Sequence, residues 1–127
     1  MSAVILIVDD SKLARLVAGK TIKALQPDWE RLEAGNAEKA LSIVAGRQVD
    51  IALLDFNMPG MDGLELAAAL RALRPAMPLA LITANVQDEV IARARAVQAA
   101  FVAKPLTEDG LRGFLSGAAL RLRVGQA

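Results

Sequence analysis

Short apolar runs alternate along the chain with longer stretches of helical period. Residues 3–8 form a continuous run rich in β-branched side chains that stops at the acid pair Asp9 and Asp10, the form expected of a strand covered on both faces. Residues 51–54 stop in the same way at Asp55, residues 79–82 at Thr83 and, more weakly, residues 101–103 at Lys104. A fainter strand is predicted over residues 30–34. Between these runs, Ala14, Val17, Ala18, Thr21, Ile22 and Leu25 keep the spacing of a core-facing helical stripe. Asn36 is placed to cap a second helix that buries Ala37, Ala40, Leu41 and Val44. A third helix is predicted from near Gly63 through Leu66, Ala67 and Leu70, and a fourth over residues 88–97. A last one opens at Thr107 and turns Leu111, Phe114, Leu115, Ala118 and Leu122 inward.

Strands alternating with helices predict an α/β fold, a doubly wound five-stranded parallel sheet with right-handed crossovers and helices on both faces. Ligands of such sheets bind beyond the carboxyl ends of the strands. That edge is where four of the runs end, so Asp9, Asp10, Asp55, Thr83 and Lys104 are expected together although the first and last are 95 positions apart.

Composition narrows the chemistry. A chain of 127 residues, 54% hydrophobic and 23% charged, has the size and make-up of one folded domain, expected to span residues 1–127. Fifteen Lys and Arg against fourteen Asp and Glu leave a net charge of +1, too little for a global field that would capture nucleic acid or anionic membrane. Neither cysteine nor histidine is present. Thiolate sites, disulfides, histidine-ligated metals and a Ser-His-Asp triad are thereby excluded, and any phosphohistidine must come from another protein. The apolar N-terminal run is too short for a membrane span and has no basic flank, so neither signal peptide nor insertion is expected and a cytoplasmic location is. The GxxxxGK[ST] and GxGxxG loops of nucleotide-binding proteins do not occur.

Three carboxylates suit Mg²⁺, a hard cation held by one or two carboxylates, waters and phosphate oxygens. A carboxylate there can also attack a phosphoryl group. Transfer then needs charge neutralised on the equatorial oxygens, which Lys104 would supply as a second cation and Thr83 as a hydroxyl donor. Singly, each residue has a plainer reading: adjacent acids favour a helix start, Thr83 could cap a strand, Lys104 could be a solvated charge. The glycines of the segment from Met58 to Gly63 are explained by a turn needing positive φ.

Taken in order, the acid pair in VDDS, the segment LLDFNMPGMDGLEL, the ITAN segment and FVAKP resemble the receiver domains of two-component response regulators, the CheY-like family. The resemblance spans the whole chain. It implies the strand order 2-1-3-4-5 and Asp55 as the phosphoacceptor. It also implies Asp10 and Asp55 as direct Mg²⁺ ligands, Asp9 as a ligand through water and Asn57 as one through its carbonyl. Thr83 resembles the switch hydroxyl, Lys104 the phosphate-binding lysine and Phe101 the switch aromatic, here without a hydroxyl. A cis peptide is implied before Pro105. Val97 stands where the family often has a glycine closing the fourth helix, and Asn57 and Asn85 where attacking water passes.

The implied function is a phosphorylation-dependent switch that takes a phosphoryl group from a histidine kinase or histidine phosphotransfer protein, loses it by slow hydrolysis, and alters partner binding. With nothing past Val124 expected to form an output domain, the signal is expected to leave through the face of the fourth helix, fifth strand and fifth helix. Leu13 and Leu16, off the principal stripe, offer an apolar patch where, as the resemblance implies for the first helix, a helical phosphodonor could dock, although ordinary surface leucines are the plainer reading. A phosphorylation-independent scaffold and a receiver cut from a larger regulator or hybrid kinase are the alternatives.

Overall fold

A computed structural model describes residues 3–84 and 87–126, with side chains as far as residue 122. The elements run β1 (Val4–Val8), α1 (Lys12–Leu25), β2 (Glu30–Ala34), α2 (Ala37–Gly46), β3 (Ile51–Asp55), α3 (Gly63–Leu73), β4 (Leu79–Thr83), α4 (Asp88–Ala96), β5 (Ala99–Ala103) and α5 (Glu108–Gln126). All four strand pairings are parallel and the order is β2-β1-β3-β4-β5, as the sequence reading expects.

Side chains of a strand alternate between faces, and here the alternation sorts the apolar residues into two cores. Leu6, Val8, Ala52, Leu54, Leu79 and Leu81 pack with α2, α3 and α4. Ile5, Ile7, Ile51, Leu53, Ala80, Ile82 and Val102 pack with α1 and α5. Both faces of β3 and β4 are therefore apolar, and every residue of these two strands is buried. The continuous apolar runs have this cause.

Local signals fix the helix starts. Oxygens of Ser11, Asn36 and Asp62 accept the N–H of Ala14, Lys39 and Glu65 at 3.2, 2.8 and 2.8 Å, and Glu65 answers the Asp62 N–H to complete a capping box. Two expectations change. Val17, placed on the buried stripe of α1, is 44% exposed, because the inward arc of that helix is narrow and centres on Ala18 and Ile22. β5 begins at Ala99, two residues before the run read as a strand, since alanine has little β-propensity of its own and is recruited by pairing with Leu79 and Ala80.

At the amino ends of the strands, one guanidinium joins two loops. Arg71, on α3, donates to the carbonyls of Arg74, Pro75 and Met77 before β4 and to those of Val97 and Gln98 before β5. Gln98 has φ +56°. The left-handed residue that closes α4 is thus Gln98, one position after Val97, where the family glycine was expected.

Candidate functional site

Among the described residues, the buried polar side chains are those of Asp9, Asp55 and Thr83. Burying a polar group is costly unless it is paired, and the two buried carboxylates here are paired with groups at the same sheet edge. β3 delivers Asp55 at its last position, 3% exposed, and Lys104 donates to its Oδ1 at 2.6 Å. The ion pair joins a nearly inaccessible carboxylate to an ammonium with 36% of its side chain exposed. Asp9 lies at the end of β1, its N–H on the Ala34 carbonyl at 3.1 Å and its Oδ1 accepting from the Ser11 N–H at 2.9 Å. Asp10 follows, exposed. One carboxylate oxygen from each of Asp9, Asp10 and Asp55 comes within 4.8 Å of the others.

The electrostatics follow from burial first and crowding second. Burial pushes the carboxyl of Asp9 above its ordinary value of 3.8; the charges of Asp55 and Asp10 push the same way, against the Ser11 N–H and Lys104. The donor set is all oxygen, with one exposed member that leaves room for waters, which fits a hard divalent ion such as Mg²⁺.

Continuing the alternation of each strand, Asp9, Asp55 and Lys104 fall on the side of α1 and α5, whereas Thr83 falls with Leu79 and Leu81 on the side of α4. Phe101, half-buried, packs against the core on the α4 side. Thr83 is 1% exposed, and its carbonyl accepts the Lys104 N–H at 3.1 Å. The main chain thus links the hydroxyl to the lysine. The Lys104–Pro105 peptide is cis. Asn57 is exposed two residues after Asp55; Asn85 lies outside the described residues.

One contributor is absent from the sequence reading, and another stands there for a different reason. Arg15 reaches back from α1 to the Asp9 carbonyl at 2.7 Å while its Nε bonds Glu33 of β2 at 2.9 Å, strapping the acid loop to the neighbouring strand. Its spacing from Asp9 carries no motif that would disclose this. Gly63 donates its N–H to the Phe56 carbonyl at 3.0 Å, closing the loop after Asp55. A Cβ there would lie 2.5 Å from the Asp55 carbonyl oxygen, so close approach, and not positive φ, demands this glycine; Gly60, at φ +83°, is the one that meets the turn requirement.

A groove of about 340 Å³ runs beside the acids, lined by Leu13, Ala14 and Val17 of α1 and by Lys104, Pro105 and Leu106. It adjoins the carboxylates without containing Asp55.

Known proteins resemble this chain in sequence and fold. The chain is 41% identical over 113 residues to the cyclic di-GMP phosphodiesterase response regulator RpfG of Xanthomonas campestris, a match that takes in 85% of this chain and 29% of that protein. It is 37% identical to the positive alginate biosynthesis regulatory protein of Pseudomonas aeruginosa, over 94% of this chain and 48% of that one. It therefore spans less than half the length of these curated relatives. The chemotaxis protein CheY4 of Vibrio cholerae superposes with a TM-score of 0.84 at 26% identity, over 93% of this chain and 99% of that structure. The family model of the response regulator receiver domain matches residues 5–116, and the chain belongs to that family, the phosphorylation-dependent switches of two-component signalling.

Proposed function

We propose that residues 1–127 work as one receiver in which Asp55 is phosphorylated by a partner histidine kinase or histidine phosphotransfer protein, with Mg²⁺ held by Asp10 and Asp55 directly, Asp9 through water and Asn57 through its carbonyl. The observation that carries this reading is the ion pair of buried Asp55 with Lys104 beside two further carboxylates. When bound, the ion supplies charge neutralisation on the phosphoryl oxygens. Lys104 is already at the nucleophile and follows the phosphoryl group as a second cation. Thr83 takes up a phosphoryl oxygen through its hydroxyl, and because Phe101 lies on the same side of the sheet, its packing registers the change. That side carries α4, and the output surface is the end of the sheet where α4, the edge strand β5 and α5 of the opposite side come together, turned toward a downstream protein. No helix among the described residues is long and apolar enough to cross a membrane, which agrees with work in the cytoplasm.

Incubation with Mg²⁺ and phosphoramidate, followed by intact mass, tests the assignment. One phosphoryl group is expected on wild type and none on Asp55→Ala. Full labelling of the variant would overturn it.

A further inference from the structure

Asp10 is the exposed member of the acid cluster, and among the contacts described it is its backbone, not a side-chain partner, that places its carboxylate. That backbone is held on both sides of Asp9. The Asp9 N–H sits on the Ala34 carbonyl at 3.1 Å, which fixes the peptide before it. Nη1 of Arg15 donates to the Asp9 carbonyl at 2.7 Å, which fixes the peptide after it. A peptide unit is planar, so the Asp9 carbonyl and the Cα of Asp10 move as one body. Holding the first aims the second. Arg15 can act as a clamp because it is itself held. Its N–H bonds the Ser11 carbonyl at 3.1 Å in the first turn of α1, its Nε pairs with Glu33 of β2 at 2.9 Å, and its Nη1 lies against Gly35, where a Cβ would stand 3.4 Å away. The side chains of Arg15 and Glu33 are 17 and 53% exposed, so their ion pair adds little stability of its own. What it fixes is the direction of the guanidinium, whose bond to the carbonyl is charge-assisted.

We infer that Arg15 is a positioning residue for the divalent-ion seat, and that by locking the Asp9–Asp10 peptide against the end of β2 it sets a preference for a small octahedral ion over a larger one. The inference rests on the reading of Asp9, Asp10 and Asp55 as that seat. Mg²⁺ demands near-ideal octahedral geometry with oxygens at about 2.0–2.1 Å, whereas Ca²⁺ accepts them at about 2.3–2.6 Å in flexible arrangements. A carboxylate released to wander therefore costs Mg²⁺ more than Ca²⁺. Arg15 touches no ion in this scheme; it acts through the main chain that carries Asp10, and Glu33 acts through Arg15.

The test is calorimetric titration of the full chain with MgCl₂ and with CaCl₂ at matched ionic strength, on wild type, Arg15→Ala and Glu33→Gln. Circular dichroism melts establish that each is folded at the titration temperature. Arg15→Ala should weaken Mg²⁺ binding about tenfold and Ca²⁺ binding only about twofold, so that the preference between the ions narrows. Glu33→Gln keeps the bond to the Asp9 carbonyl but loosens its donor, and should move Mg²⁺ affinity in the same direction by a smaller factor. A role confined to holding the fold together would lower the melting temperature and leave the ratio of the two affinities where it was. Mg²⁺ affinity unchanged in Arg15→Ala, or Mg²⁺ and Ca²⁺ weakened by the same factor, overturns the inference; should Arg15→Ala not fold, unchanged Mg²⁺ affinity in Glu33→Gln overturns it. Failure of wild type to bind Mg²⁺ at all overturns instead the reading of the acid cluster as the seat.

Discussion

Replacing Asp9 by Asn removes one of three crowded negative charges and keeps an oxygen to accept the Ser11 N–H. The gain can be bounded from the geometry. Two unit charges at 4.8 Å, the outer limit of the cluster, repel by about 3.5 kcal/mol at an effective dielectric of 20 and by about 0.9 kcal/mol in bulk water. Asp9 is buried but Asp10 is exposed, and Lys104 offsets part of the repulsion, so a net stabilisation of about 1–2 kcal/mol is expected for Asp9→Asn without divalent ion. In a domain of this size that raises Tm by roughly 3–8 °C. The pH dependence has a definite sign. The folded chain holds the Asp9 proton more tightly than the unfolded chain does, because its pKa is raised above 3.8, first by burial. Asp9 thus contributes stability that is fully present below the unfolded value and is lost as pH rises through the folded one. The advantage of Asp9→Asn should therefore grow across that acid window and level off toward neutral pH. Mg²⁺ should narrow that gap by stabilising wild type, about 1.4 kcal/mol at ten times Kd, more than the variant. Thermal unfolding followed by circular dichroism, with NaCl at matched ionic strength as control, reads all three effects. A metal-free variant less stable than wild type at pH 7, or Mg²⁺ shifts equal in both chains, would refute the crowding argument.

Two further substitutions probe the backbone around the site and the far loops. Gly63→Ala should lose about 1–3 kcal/mol, since its Cβ would meet the Asp55 carbonyl oxygen at 2.5 Å and the Phe56 Cα at 2.9 Å, both main-chain atoms; urea midpoints report it, and an unchanged midpoint would contradict the packing. Gln98→Gly should gain about 0.5–1 kcal/mol by relieving φ +56° while its carbonyl still accepts from Arg71, and a lower urea midpoint would show that the Gln98 side chain matters more than its backbone.

What could be read in advance follows from which interactions leave a periodic trace. β3 and β4 are buried on both faces, so their runs are unbroken and end visibly at Asp55 and Thr83. The clustering of Asp9, Asp55 and Lys104 follows from strand ends in a parallel sheet, and the period-two alternation places Phe101 with Thr83. Val17 was misplaced because helical spacing gives an arc without its width. The start of β5 was missed because two alanines carry little signal until Leu79 and Ala80 are beside them. The roles of Arg15 and Arg71 were illegible for a different reason: their acceptors are main-chain carbonyls, which every residue possesses, so no residue type marks the partner.

The Arg71 contacts bear on how this fold can be altered. One guanidinium reaches carbonyls on both sides, at Met77 (2.6 Å) and Val97 (3.0 Å), and so ties together two loops that are 20 positions apart in sequence. A loop transplanted from another receiver would have to bring carbonyls to the same points in space, and its insertion would be felt at the other loop before any change in its own composition mattered. The two connections therefore drift, lengthen or are redesigned as a pair. The loop after Asp55 is held differently: it closes on itself through the Gly63–Phe56 bond and is tied to β4 by the Phe56 N–H on the Ile82 carbonyl at 3.1 Å, so a change there is felt at the strand ends that carry Asp55 and Thr83.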